Sequence, residues 1–172
     1  SPDHSGSKSN DKGSSGQSVS SGNGYDVTVA LSDAVTGMAG LTLGGGMASR
    51  TKAAGDIDEA TVYATYAIGG LTLGYQWSEE DLGLSSGIDK YENDAYGVTF
   101  NVNDDLSIGY NNYKSDQTTV NGGTVEAKAT SIQVAYTMGG MTLAVAHGSY
   151  DNVGYTDGDE VDQMLFAVTM AF

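Results

Sequence analysis

From Tyr25 onward, large apolar residues fall on every second position of the chain. In residues 71–78, Leu71, Leu73, Tyr75 and Trp77 alternate with Thr72, Gly74, Gln76 and Ser78. Period two is the repeat of a β-strand, whose successive side chains point to opposite faces, so this segment has one apolar face and one small, polar face. Gly69-Gly70 precedes it, and glycine takes the positive φ of a two-residue hairpin turn at no steric cost. The same phrase recurs as Ala39-Gly40-Leu41-Thr42-Leu43-Gly44, Asp104-Asp105-Leu106-Ser107-Ile108-Gly109 and Gly139-Gly140-Met141-Thr142-Leu143-Ala144. The residues ahead of each Leu or Met (40, 70, 105 and 140) are 30, 35 and 35 positions apart, about the length of two strands with their connections. The chain reads as a succession of β-hairpins.

The alternation predicts nine strands, over residues 25–34, 41–53, 59–68, 71–82, 91–102, 106–119, 124–138, 141–151 and 161–172. One set of connections is tight: residues 35–40, Gly69-Gly70, Asn103-Asp104-Asp105 and Gly139-Gly140. The other set, residues 54–58, 83–90, 120–123 and 152–160, is mostly longer and more polar. Parity taken from the tight turns puts Val27, Leu43, Val62, Leu73, Val98, Ile108, Val134, Leu143 and Val168 on one face. The other face carries Thr42, Gly44, Gly46, Gly74, Gly97, Ser107, Gly109, Ala135 and Ala144. Residues 1–24 are largely Ser, Gly, Asn, Asp and Lys. They hold too little apolar surface for a core and read as a disordered external loop or tail ahead of the strands of residues 25–172.

A soluble sandwich would also show one apolar face, and three features separate the cases. The polar face is small and hydroxylic with hardly a mid-strand charge, whereas a face in bulk water is normally rich in charges. Aromatic residues Tyr66, Trp77, Tyr96, Phe100, Tyr136, Phe166 and Phe172 lie on the apolar face, placed for interfacial girdles. Met164, Phe166, Val168, Met170 and Phe172 then keep strict alternation to the last residue. The strands match the roughly 9–11 residues that cross the hydrocarbon layer on a tilt. Short turns at one end and longer acidic loops at the other complete the pattern of an all-β transmembrane antiparallel barrel.

Composition narrows the function. Seven Lys and Arg against 22 Asp and Glu give a net charge of -15, which argues against a nucleic-acid partner. The chain has no Cys, so disulfides, zinc–thiolate sites and thiol catalysis drop out. An apolar fraction of 39% is below the ~45–50% of a globular domain. No apolar run reaches the length of a transmembrane helix.

The glycine-led hairpins and the strand Val161-to-Phe172 resemble bacterial outer-membrane porins, in particular the general-diffusion type of alphaproteobacteria, over residues 25–172. The resemblance implies a water-filled channel for passive diffusion of small hydrophilic solutes and ions, with no reaction and no cofactor. It implies membrane lipid and lipopolysaccharide around the barrel, a homotrimer, and recognition of the phenylalanine-ended strand by the barrel-assembly machinery. Tight turns would face the periplasm and acidic loops the outside. Nine strands whose first and last run the same way cannot close with every neighbour antiparallel, and bacterial single-chain barrels use even numbers. The expectation is therefore the C-terminal part of a barrel of about sixteen strands, with an N-terminal remainder supplying the rest. The start on Ser1-Pro2-Asp3-His4, without a signal peptide, fits a processed or cut product.

On that reading the pore lining includes Asp26, Arg50, Lys52, Glu59, Thr61, Tyr63, Gln76, Thr99, Asn111 and Gln133. Arg50 and Lys52 would stand near the outer mouth, opposite Glu59 and Asp26. The acidic clusters Asp56/Asp58/Glu59, Glu79/Glu80/Asp81 and Asp157/Asp159/Glu160 offer oxygen ligands that suit Ca²⁺, with the last the candidate site. None follows an ordered calcium motif, and solvated loop residues are the competing reading. Two other functions have footholds. Residues 41–172 would make an eight-stranded anchor or adhesin, but a narrow barrel must fill its inside with side chains and these are too small. Outer-membrane phospholipases are similar in carrying an outward His-x-Ser pair, here His147 and Ser149 with Asn152 as a conceivable orienting group; no other residue nearby matches them.

Overall fold

The computed structural model describes residues 24–52 and 55–170. Nine strands form a single sheet in chain order: β1 (Gly24–Leu31), β2 (Leu41–Lys52), β3 (Gly55–Ile68), β4 (Leu71–Asp81), β5 (Ile88–Asn101), β6 (Leu106–Thr119), β7 (Thr124–Met138), β8 (Met141–Asp151) and β9 (Glu160–Met170). Every neighbouring pair is antiparallel. The expected tail of residues 1–24 lies outside the described residues except for Gly24, as does Phe172.

Several boundaries depart from the sequence pattern, and the larger departures have local reasons. The first strand stops at Leu31, because Ser32 starts one helical turn, α1 (Asp33–Thr36), which Gly37 ends at φ 71°. The connection expected at 54–58 is strand from Gly55 onward, so Asp56, Asp58 and Glu59 belong to β3. Gly55 (φ 143°) makes that possible: a Cβ there would lie 1.8 Å from the Gly83 carbonyl oxygen. β5 starts at Ile88, with a register shift between Ile88 and Lys90 that an alternation rule does not register. β9 begins one residue early, on Glu160 paired with Asp151.

The sheet has, among the described residues, no second layer to bury its apolar face. Among the described residues Ile57 is the buried apolar side chain and Ser115 the buried polar one. By contrast Val27 is 55%, Ile132 51%, Met164 59% and Val168 58% exposed. A contiguous apolar surface on this scale marks contact with lipid or protein, since soluble monomers rarely leave one open. From β2 to β8 the backbone is paired strand to strand on both sides, as hydrocarbon requires. On β8 the apolar face runs from Met141 up to the polar Ser149. At about 3.3 Å per residue and a tilt near 40° this spans about 20 Å, close to the ~25 Å band of an outer-membrane barrel.

β1 and β9 each pair on one side only, and in an alternating sheet of nine strands both run in the same direction. Antiparallel closure of such a sheet takes an odd number of further strands.

Candidate functional site

The ladders place all ten expected lining residues on the face opposite the apolar one. Asp26 is paired with Ala48, which shares its face with Arg50 and Lys52. Tyr63 faces Gln76, Thr99 faces Gly109, and Asn111 faces Ser131 two residues before Gln133. Three glycines let the longer members lie along this wall. A Cβ on Gly44 would sit 2.3 Å from Cζ of Tyr63, its direct cross-strand partner. On Gly109 it would meet Gln133 Cγ at 2.9 Å, and on Gly97 it would meet Asn111 Oδ1 at 2.7 Å. Gln76 Nε2 donates to Thr61 Oγ1 at 3.4 Å, tying two more lining residues together. The wall is polar but thin.

At the acidic end of this wall Arg50 Nη2 meets Glu59 Oε1 at 3.0 Å and Glu80 Oε1 at 3.4 Å. Glu59 and Glu80 face each other across β3 and β4, so the guanidinium separates two carboxylates that would otherwise repel. Arg50 is 39% exposed, and exposed pairs of this kind contribute only about 0–1 kcal/mol. Its importance is where it puts charge. Lys52, the last residue of β2, is opposite Gly55, and Asp26 stays across from Ala48 rather than joining the cluster.

A second polar cluster on the same face has no counterpart among the residues singled out from the sequence. Ser115 Oγ donates to Asn93 Oδ1 at 2.5 Å, and Tyr113 OH donates to the same oxygen at 2.7 Å. Asn93 Nδ2 donates to Ser78 Oγ at 3.3 Å, which carries the chain onto β4. From the β8–β9 loop, Tyr155 OH reaches Ser115 Oγ at 2.6 Å, and its ring packs on Tyr91 with centroids 5.5 Å apart. Burial, the largest influence, pushes the Tyr155 phenol above its ordinary value. It stays neutral and able to donate throughout the physiological range.

The apolar face is bounded at its acidic end by aromatic residues whose polar atoms point to carboxylates. Trp77 Nε1 donates to Glu92 Oε1 at 3.3 Å, and Tyr75 OH donates to Asp94 Oδ1 at 2.5 Å. Tyr96 packs near Tyr110 at 6.1 Å. Beyond them, Lys90 bridges Glu79 (2.9 Å) and Glu92 (3.2 Å), while Glu126 joins Lys114 and Lys128. An amphipathic ring with an ionic rim is what a hydrocarbon–headgroup boundary selects. Tyr66, Phe100 and Tyr136 lie toward the tight-turn end of the same face. Phe166 is mid-strand opposite Val145, within the band rather than at its edge.

His147 and Ser149 both lie on the apolar face, His147 between Ile132 and Met164. Asn152 is engaged away from them: its Nδ2 donates to the Glu126 carbonyl at 2.7 Å and its Oδ1 accepts from Gly158 N at 2.9 Å. Among the described residues no three His, Asp or Glu side chains, those of Asp157, Asp159 and Glu160 included, come together as a group that could hold a metal ion.

A single-layer sheet with lipid-facing and water-facing sides is the fold of an outer-membrane strand protein. The chain belongs to the Gram-negative porin family, whose model matches residues 1–159. Its fold is similar to that of outer-membrane expressed OmpT of Vibrio cholerae, at TM-score 0.57 and 15% identity, over 84% of this chain and 53% of that one. The in-vitro folded OmpT, an outer membrane protein of Vibrio cholerae, is similar at TM-score 0.55 and 16% identity, over 86% and 53% of the two chains. The chain thus spans about half the length of these solved relatives. A comparison with curated proteins gives no match. Family and fold place the protein in the outer membrane.

Proposed function

We propose that this chain forms the larger part of the wall of a water-filled channel through which small hydrophilic solutes and ions diffuse passively. One observation carries the reading: behind a face made for lipid, the long polar side chains of the other face lie down on glycines, so space is kept rather than filled. Threonine, serine, asparagine and glutamine along the path offer weak hydrogen bonds that do not trap a solute. No reaction is assigned, and the general-diffusion type of alphaproteobacteria is the subclass this fits. Further strands of the same barrel close the gap between β1 and β9, and lipopolysaccharide and two further copies of the protein surround it.

Ion preference follows from the charged groups on this wall, where Asp26, Glu59 and Glu80 outnumber Arg50 and Lys52. The Arg50→Glu variant changes the local charge by two and places three carboxylates together. Planar-bilayer recordings of the intact protein are expected to show open channels, with the zero-current potential under a salt gradient moving toward cation selectivity in the variant. Absence of any conductance from correctly folded protein would refute the channel.

A further inference from the structure

On the wall of an open channel, side chains should be wet. Ser115 is not: it is 2% exposed, while Tyr113, two residues away on the same face, is 43% exposed. Against Ser115 lies Tyr155, from the β8–β9 loop of residues 152–159. The loop turns back over β5, β6 and β7 instead of standing away from the sheet, and it is fixed at two points. Asn152 holds its start to the Glu126 carbonyl of β7. Tyr155 holds its middle, by its hydroxyl on Ser115 and its ring on Tyr91, which in turn accepts from Gln117 Nε2 at 3.1 Å. Inside the loop, Val153 N donates to Asp159 O at 3.0 Å and Tyr155 N to Asn152 O at 2.9 Å, which ties its two arms together.

The backbone gives an independent sign. Among the described residues Asn152 (φ 53°) and Tyr155 (φ 59°) are the non-glycine residues with positive φ, and both belong to this loop. Asparagine tolerates that region, but a tyrosine there costs free energy and persists only when its surroundings hold it. The surroundings are the Ser115–Asn93–Tyr113 network, which continues to Ser78 on β4.

We propose that Tyr155 is a positioning residue that pins the β8–β9 loop as a strap across the inner wall at the outer mouth, making the loop part of the channel's size filter. This rests on the channel reading, and two measurements keep the ideas separable. The chain lacks cysteine, so Ser115→Cys introduces a unique thiol under the strap. In the intact membrane-inserted protein, its labelling by a water-soluble thiol reagent should be slow. Adding Tyr155→Phe, which keeps the ring on Tyr91, should leave that rate low, since position 115 no longer offers the serine hydroxyl. Adding Tyr155→Ala should raise it at least about fivefold, the factor expected when even one net hydrogen bond's worth of anchoring is lost. With Ser115 intact, Tyr155→Phe should raise open-channel current noise and Tyr155→Ala should also raise mean conductance. If the thiol at position 115 labels equally fast with Tyr155 present and after Tyr155→Ala, and conductance and noise are unchanged, the strap is refuted while the channel stands. If no variant conducts but labelling still rises with Tyr155→Ala, the loop is pinned as described and both the size-filter role and the channel fall.

Discussion

Arginine in place of Val134 is expected to destabilise the membrane-inserted protein by about 2–4 kcal/mol, the cost of a lipid-facing cation near the bilayer midplane of a barrel. Val134 sits between Ile108 and Val145 in the middle of the apolar band. Its neighbour Ala135 sits between Ser107 and Ala144 on the opposite face. There the same arginine meets water, so Ala135→Arg should change stability by no more than about 0.5 kcal/mol and should instead lower cation conductance. Urea titration of folding into vesicles measures the first quantity, and bilayer recording the second. The two substitutions are one residue apart in sequence. A soluble sandwich, with both faces partnered differently, would not produce this reversal of effects.

A side chain at Gly44 should act through Tyr63. Because a Cβ would fall 2.3 Å from the Tyr63 ring, Gly44→Val must lift that ring off the polar face and, on the proposed reading, into the channel. We expect a cost of about 1–3 kcal/mol from the overpacked contact together with a fall in single-channel conductance. The double variant Gly44→Val/Tyr63→Ala removes the clash and should regain conductance, with the two substitutions non-additive as contacting residues are. Unchanged conductance in Gly44→Val would mean that Tyr63 does not border the conducting path.

Much of this architecture can be read from local rules. The Gly69-Gly70 turn pairs Ile68 with Leu71, and antiparallel arithmetic from that pair sets Glu59 opposite Glu80. The Arg50–Glu80 contact is therefore within reach of the sequence, although face parity alone draws attention only to Glu59 and Asp26 around Arg50. Faces are legible for the same reason: a strand repeats every two residues, so one fixed turn orients a whole hairpin. What alternation misses is where the repeat is broken. Ser32 and Gly37 convert a strand end into a helical turn, and Gly55 against Gly83 extends β3 into what reads as a loop. The strap is invisible for a deeper reason. It depends on positive φ at a tyrosine and on a hydrogen bond between residues 40 positions apart, neither of which has a local sequence signal.

Trp77, the single tryptophan of the chain, stands at the acidic rim of the apolar face with its indole N–H on Glu92. The protein reconstituted into vesicles containing brominated phospholipid should therefore lose fluorescence by direct contact. Bromines near the headgroup should quench more than bromines near the chain ends. Emission indifferent to brominated lipid at every depth would show that the apolar face is covered by protein, and would contradict the account.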